Sequence, residues 1–307
     1  MNIKTTLRIM LTGLPLVACV TATANAQRYY GETLDTTVTL DRQAIVDLSL
    51  MSGRVEVIGG DGSSAHVRAT TTRGDIRFDA GPGRLRLSVD PNGRGIGDAR
   101  FELTVPAGTR VIGNSLSGSM FVTGVKGEVD VSSVSGSIDI SDAARKVKAE
   151  SVSGNVEVSD VAGDVRASSV SGRVEVDNVT GDLETESVSG RITMTRARSR
   201  YVRSGSVSGR ITYAGTFEPA GTYEFKTHSG SVNLSLPADV GAQVQVETFS
   251  GAVDSDFPVT LQPTSTGRRG SSGRIEFKIG DGRSRIVAES FSGNIKIARG
   301  DGRDSRD

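Results

Sequence analysis

The sequence predicts an all-β chain, a β-solenoid of about 18- to 21-residue coils preceded by a less regular strand-rich region. Three observations predict it. Ser-Gly steps place glycine at 118, 136, 154, 172, 190 and 209, spaced 18, 18, 18, 18 and 19 residues apart, and a fixed period of this length marks a repeat architecture. Aligned on that period, apolar residues fall into columns while the positions between them carry Asp, Glu, Arg, Ser and Thr. Aromatic residues make up only 5% of the 307 and Trp is absent, which suits a thin core of Val, Ile, Leu and Ala between two sheets about 10 Å apart.

The chain opens on a targeting segment, residues 1–26. Lys4 and Arg8 make a positive start, Ile9 to Val20 is mainly apolar, and Ala24-Asn25-Ala26 offers small residues for cleavage before Gln27. The apolar run is short and interrupted by Gly13 and Pro15, which argues against a membrane span. A second reading uses Leu16-Val17-Ala18-Cys19, a lipoprotein-like signal in which Cys19 is the candidate lipidation site. Cleavage after Ala26 is the favoured reading, because Thr21 to Ala26 separates the apolar run from that site. Either way the expectation is an exported protein of the periplasm or cell envelope, attached to the membrane only if Cys19 is lipidated. Cys19 is the single cysteine, so a chain cleaved after Ala26 has no disulfide or thiolate chemistry.

Residues 27–116 read as irregular β modules that cap one end of the array. The phrase Gly53-Arg54-Val55-Glu56-Val57 returns at Gly74-Asp75-Ile76-Arg77-Phe78 and at Gly83-Arg84-Leu85-Arg86-Leu87, alternation of period two bounded by glycine. Capping is needed because an open terminal coil exposes unpaired strand edges.

Residues 117–298 read as the solenoid proper. Each regular period holds two half-units of nine, such as Gly154-Asn155-Val156-Glu157-Val158 and Gly163-Asp164-Val165-Arg166-Ala167. Three columns are expected to face inward: Ile138, Val156, Val174, Ile192 and Ile211; Val129, Val147, Val165, Leu183 and Val202; and Val134, Val152, Val170, Val188 and Val207. Glycine is expected to free the backbone at one recurrent corner, with serines bonding along the turns. After Gly209 the Ser-Gly steps lengthen to 21, 21, 22 and 20 residues, and the added residues, Pro219, Pro237 and Pro258 among them, read as loops at the coil corners. Residues 299–307 read as a disordered, charged tail.

The phrases Leu103-Thr104-Val105-Pro106-Ala107-Gly108, Ser151-Val152-Ser153-Gly154-Asn155-Val156-Glu157-Val158 and Glu289-Ser290-Phe291-Ser292-Gly293-Asn294-Ile295-Lys296-Ile297 resemble the DUF4097 family. The resemblance runs from about Leu34 to Ile297. It implies a β-helical fold in an exported or membrane-attached bacterial protein, of a kind that often carries the label adhesin. It brings no catalytic or binding residue with it.

The charges exclude some partners. With 36 basic and 36 acidic residues the net charge is zero, which gives no reason to expect nucleic acid or an anionic membrane surface. The only histidines, His66 and His228, lie in different modules, so neither a Ser-His nucleophile nor a histidine metal site is assigned. Asp139, Glu157 and Glu175 form an outward column beside Arg173, Arg191 and Arg210, a set that a polysaccharide-cleaving β-helix enzyme could use but that more often makes solvated cross-strand pairs. Asp160, Asp164, Asp177 and Asp182 sit near turns at a nonapeptide half-period, yet the Gly-Gly-x-Gly-x-Asp core of calcium-binding coils is missing. Two Arg-Gly-Asp tripeptides, 73–75 and 299–301, are expected from composition alone, the first within a strand phrase.

No catalytic, cofactor-binding or metal residue is therefore assigned, and no cofactor is expected. The leading expectation is a non-enzymatic envelope module for binding, adhesion or structure. Its partner would be an envelope protein, a glycan or a second copy of itself. The alternative is a β-helix lyase or hydrolase acting on a polysaccharide.

Overall fold

The structure is a computed structural model that describes residues 27–91, 95, 97–258 and 273–300; the leader with Cys19 and the tail beyond Gly300 lie outside the described residues. Those residues form two long sheets and no helix, hence no helix long and apolar enough to cross a membrane. The first sheet stacks, in spatial order, Gln27–Gly31, Asp75–Gly81, Arg84–Asp90, Ile45–Leu50, Arg110–Ser115, Val129–Ser133, Val147–Ser151, Val165–Ser169, Leu183–Ser187, Tyr201–Ser206, Thr222–Thr227, Ser284–Ser290, Ala242–Thr248 and Gly273–Ile279. The second stacks Thr33–Thr39, Ser64–Thr71, Ala99–Pro106, Gly53–Gly60, Ser119–Thr123, Ile138–Ala143, Val156–Val161, Val174–Val179, Ile192–Thr195, Ile211–Ala214, Val232–Pro237, Ile295–Gly300 and Val253–Ser255. The chain is a β-solenoid: each coil gives one strand to each sheet, and neighbouring coils pair in parallel with a register of 18 residues, as in Val147 to Val165 and Val156 to Val174.

Both ends depart from serial stacking. At one end Ile45–Leu50 and Gly53–Gly60 are inserted between Arg84–Asp90 and Arg110–Ser115 and between Ala99–Pro106 and Ser119–Thr123, while Gln27–Gly31, Thr33–Thr39, Ser64–Thr71 and Asp75–Gly81 pair antiparallel outside them. At the other end the last coil in sequence, Ser284–Ser290 with Ile295–Gly300, lies between the coil at 222–237 and the coil at 242–255. Gly273–Ile279 closes that end of the first sheet antiparallel to Ala242–Thr248. Arg299 and Gly300 end a strand and so do not belong to a tail.

Two of the expected columns are core. The column through Val156 and the column through Val165 are buried along their length, as alternation requires. The third is not. Val134, Val152, Val170, Val188 and Val207 are 42–47% exposed. Strict alternation from Val129 and Val131 carries Ser133 inward, and each valine follows that serine at the corner, where the chain has left the sheet. Serine takes the buried place because its hydroxyl closes the corner: Ser133 Oγ accepts the amide of Gly136 at 2.8 Å and Ser151 Oγ that of Gly154 at 2.9 Å. A further apolar column comes from a bulge in the second sheet. Asp142, Asp160 and Asn178 have φ of 52–55°, a conformation that Asp and Asn tolerate best after glycine, and this turns Ala143, Val161 and Val179 inward.

The corner glycines are not there for backbone freedom. Gly172 does not adopt positive φ; a Cβ on it would lie 2.0 Å from the carbonyl oxygen of Gly154 in the preceding coil. Close coil-to-coil approach, repeated along the corner, is what excludes a side chain. Where the period lengthens, the core widens. Tyr213, Tyr223 and Phe225 are fully buried, with Phe217 packed against Tyr223 at a ring separation of 4.6 Å. Tyr223 stays polar at one end, accepting the amide of Glu218 at 2.6 Å and donating to the carbonyl of Ser199 at 2.8 Å.

Candidate functional site

The repeated serines are structural. Besides accepting the glycine amide, Ser169 donates to the carbonyl of Gly154 at 3.0 Å, so this hydroxyl has its partners inside the corner. The two histidines stay apart in different surroundings. His66 faces Thr37 at 3.2 Å and Asp35 at 3.6 Å, whereas His228 stacks on Phe291 with ring centroids 4.9 Å apart.

The carboxylate column forms as expected. Asp139, Glu157 and Glu175 occupy successive rungs on the outer face of the second sheet. Partial burial pushes the Asp139 carboxyl above its ordinary value. For Glu157, burial and then the charges of Asp139 and Glu175 act in the same direction, against Arg173. Arg173 lies 3.9 Å from Glu175. Arg210 donates to the Ser231 hydroxyl at 3.2 Å, and among the described residues no carboxylate pairs with Arg191 or Arg210.

Three of the four turn aspartates engage the protein through their carboxylates. Asp160 accepts from the Asn178 amide group at 2.6 Å, Asp164 accepts the backbone amide of Asp182 at 3.0 Å, and Asp177 is held by Arg196 and by the Thr195 hydroxyl at 2.7 Å. The Arg196 guanidinium holds the Asp177 carboxyl below its ordinary range. Among the described residues no group of three or more His, Cys, Asp or Glu side chains is placed to hold a metal ion. The first Arg-Gly-Asp tripeptide sits at a bend, with Gly74 at φ 92° and Asp75 opening a strand, rather than within one; Asp301 of the second lies outside the described residues.

Among the hollows in the surface, two lie on the repeat coils. One, of about 590 Å³, is lined by Ser189, Arg191, Ser208, Arg210 and Asn294 among others. The other, of about 470 Å³, lies over Gly205, where a Cβ would meet nothing within 4 Å, and its rim carries Glu186, Val188, Arg203, Val207 and Lys226. Neither contains Asp139, Glu157 or Glu175.

The feature that the misplaced column conceals is a ribbon of apolar side chains along one corner. In rung order it runs Met51, Leu116, Val134, Val152, Val170, Val188, Val207, His228, Phe291 and Phe249, and the apolar members are 42–69% exposed. The amide of Val152 donates to the carbonyl of Ser133, that of Val170 to Ser151 and that of Phe291 to Thr227, so backbone bonds hold the rungs in line. At its far end His228, Phe291 and Phe249 stack with ring centroids 4.9 Å apart at each step and planes within 6° of parallel. Serine lines the ribbon on one side, as in Ser153, Ser171 and Ser189. Counting alternation through the strand end finds the ribbon in the sequence; reading every valine column as core hides it.

The family profile described as Toastrack DUF4097 matches residues 94–298, more than half of the chain. The chain belongs to this family. Among curated proteins none matches the chain. Of solved structures, the crystal structure of a protein titled "putative cell adhesion protein" from Clostridium sporogenes ATCC 15579 aligns over 87% of this chain and 99% of its own. The identity is 10% and the TM-score 0.22, a likeness too low to carry an argument.

Proposed function

We propose that the chain is a non-enzymatic, exported module of the cell envelope that works by presenting its long faces for binding, adhesion or structural contact. The observation that carries this reading is the setting of Asp139, Glu157 and Glu175. They lie in register on the outer face of a sheet and line none of the four described hollows, an open setting that suits contact better than a substrate site that excludes water. Membership of a family of β-strand repeats and the structural use of Ser169 support the same reading. The basic, apolar leader with Ala24-Asn25-Ala26 supports export.

Affinity capture from envelope extract with the purified chain tests the proposal. A specific envelope protein or glycan should be enriched, and fractionation of cells should place the chain outside the cytoplasm. Capture of nothing under several extraction conditions, or a cytoplasmic location, would count against it. One observation favours a polysaccharide-cleaving enzyme instead: two neighbouring carboxyls, Asp139 and Glu157, pushed above their ordinary values, the second with Arg173 nearby. Degradation of a panel of uronate polymers, abolished in Glu157→Gln, would establish that alternative.

A further inference from the structure

We propose that the apolar ribbon is a self-association seam along which two copies of this chain pair antiparallel about a twofold axis. The fold does not ask for apolar residues there. At this corner Val152 and Val170 expose their side chains, and their backbone groups are satisfied by the neighbouring coils. The next position at the same corner is serine, so polar residues are accommodated one step away. Ten successive rungs, nine apolar and one His228, take in all the large exposed apolar side chains among the described residues except Ile58 and Tyr201, and this marks a contact surface.

The dimensions suit a second copy. Ten rungs at about 4.8 Å give a ribbon about 43 Å long. The ribbon alone, about 10 Å wide, offers only about 400 Å², which is half of the roughly 800 Å² per partner of a stable interface. Adding the serine column on one side and the outer column of the first sheet on the other doubles the width and reaches that area. A partner must also repeat at the same spacing to engage every rung, and another copy of the ribbon does so.

The flanking side chains accommodate the antiparallel direction. A twofold axis crossing the ribbon between Val170 and Val188 sets each of these against the other and brings the outer column of the first sheet onto its own reverse. Glu186 then faces Ser168, and Lys226 faces Ser132. Glu150 faces Gly205, so the carboxylate of one copy is set over the hollow of the other, whose rim carries Lys226 and Arg203 together with Glu186 and Glu224. Like charges meet at none of these rungs, and the one glycine of the column receives a side chain that it leaves room for. The aromatic end of the ribbon lies against the Met51 and Leu116 end, where thioether and ring make a favourable contact.

This inference stands apart from the envelope reading, since a monomer could bind an envelope partner and a dimer could fail to. Sedimentation of the purified chain over a range of concentrations tests it. The parent should sediment at twice the mass of one chain, and Val188→Glu should raise the dissociation constant by more than about tenfold, because the new carboxylate is buried without a partner. Circular dichroism of Val188→Glu should match the parent, since the site is exposed in the single chain. Direction is read by cross-linking in a Cys19→Ser background. A Val134→Cys chain mixed with a His228→Cys chain should form a disulfide under mild oxidation, and neither should cross-link to itself, its two cysteines being about five rungs apart. A chain that is monomeric at all concentrations, or a dimer indifferent to Val188→Glu, would overturn the seam. So would Val134→Cys linking to itself, or a monomer that instead binds phosphatidylcholine vesicles through the ribbon.

Discussion

The hydroxyl of Ser169 accepts the amide of Gly172 at 2.9 Å and donates to the carbonyl of Gly154, one coil back, at 3.0 Å. A single buried side chain thus closes its own corner and fastens it to the corner beneath. Ser169→Ala leaves the Gly172 amide and the Gly154 carbonyl without this partner and should cost about 1–3 kcal/mol in urea unfolding. Gly172→Ala should cost more, because its Cβ meets a carbonyl oxygen at 2.0 Å and two coils must part to admit it. The reverse ranking would show that the corner is held by something other than close stacking.

Two valines five residues apart should behave in opposite ways. Val165 is 2% exposed and Val170 is 42% exposed. Val165→Asp buries an unpaired charge among neighbouring coils and should cost about 3–5 kcal/mol or unfold the chain. Val170→Asp, measured at a dilution where the chain is monomeric, should change stability by less than about 1 kcal/mol. Equal losses would return the corner valines to the core.

Two carboxylates should give pH effects of opposite sign. The Glu157 carboxyl titrates above its ordinary 4.5 in the fold, so its contribution is most favourable below that value and is lost as pH rises through the folded pKa. Glu157→Gln should therefore be at least as stable as the parent at pH 7, the difference vanishing below about pH 4. Asp177 titrates below its ordinary 3.8 because of Arg196, so its contribution is present above that value and fades as pH falls. Asp177→Asn should destabilise at pH 7 and converge with the parent in acid. Urea unfolding at pH 7 and at successively lower pH, carried below 3.8 for Asp177, checks both, and effects of the same sign would refute the assignment.

In the wide coil the Tyr223 phenol holds two backbone groups at once. Tyr223→Phe removes the partner of the Glu218 amide and of the Ser199 carbonyl and should cost about 1–3 kcal/mol. Burial pushes the Tyr223 hydroxyl up to about 12, so absorbance titration should show its phenolate forming only near that pH. Ionisation near pH 10 would mean that this coil is open to water.

Periodicity made the middle of the molecule legible. The columns through Val156 and Val165, the outward carboxylates from Asp139 to Glu175 and the serine-lined corner follow from alternation and an 18-residue repeat. The corner valines were not legible by composition, since a β-branched residue looks the same on either side of a strand end; only the phase, with Ser133 taking the inward place, tells them apart. Spatial order was not legible either. A Cβ on Gly230 would strike Gly209, one on Gly293 would strike Gly230, and one on Gly251 would strike Gly293. Each Ser-Gly or Thr-containing corner offers the same stacking edge, so no local residue says which coil comes next. The buried tyrosines escaped because they lie where the period breaks.

That reversed order has a consequence in time. The coil at 242–255 leaves the growing chain before the coil at 284–300, yet its native neighbour is the later one. Adding coils one by one from the first residue onward cannot complete this molecule. Segment 242–255 can pair early with Gly273–Ile279 on one side, but on the other it must wait, or settle provisionally on Thr222–Thr227 and be displaced, until segment 284–300 wedges into place. Assembly thus waits on strands made out of spatial order, and a chain cut before Ser284 would carry a vacant berth rather than simply a shorter rod.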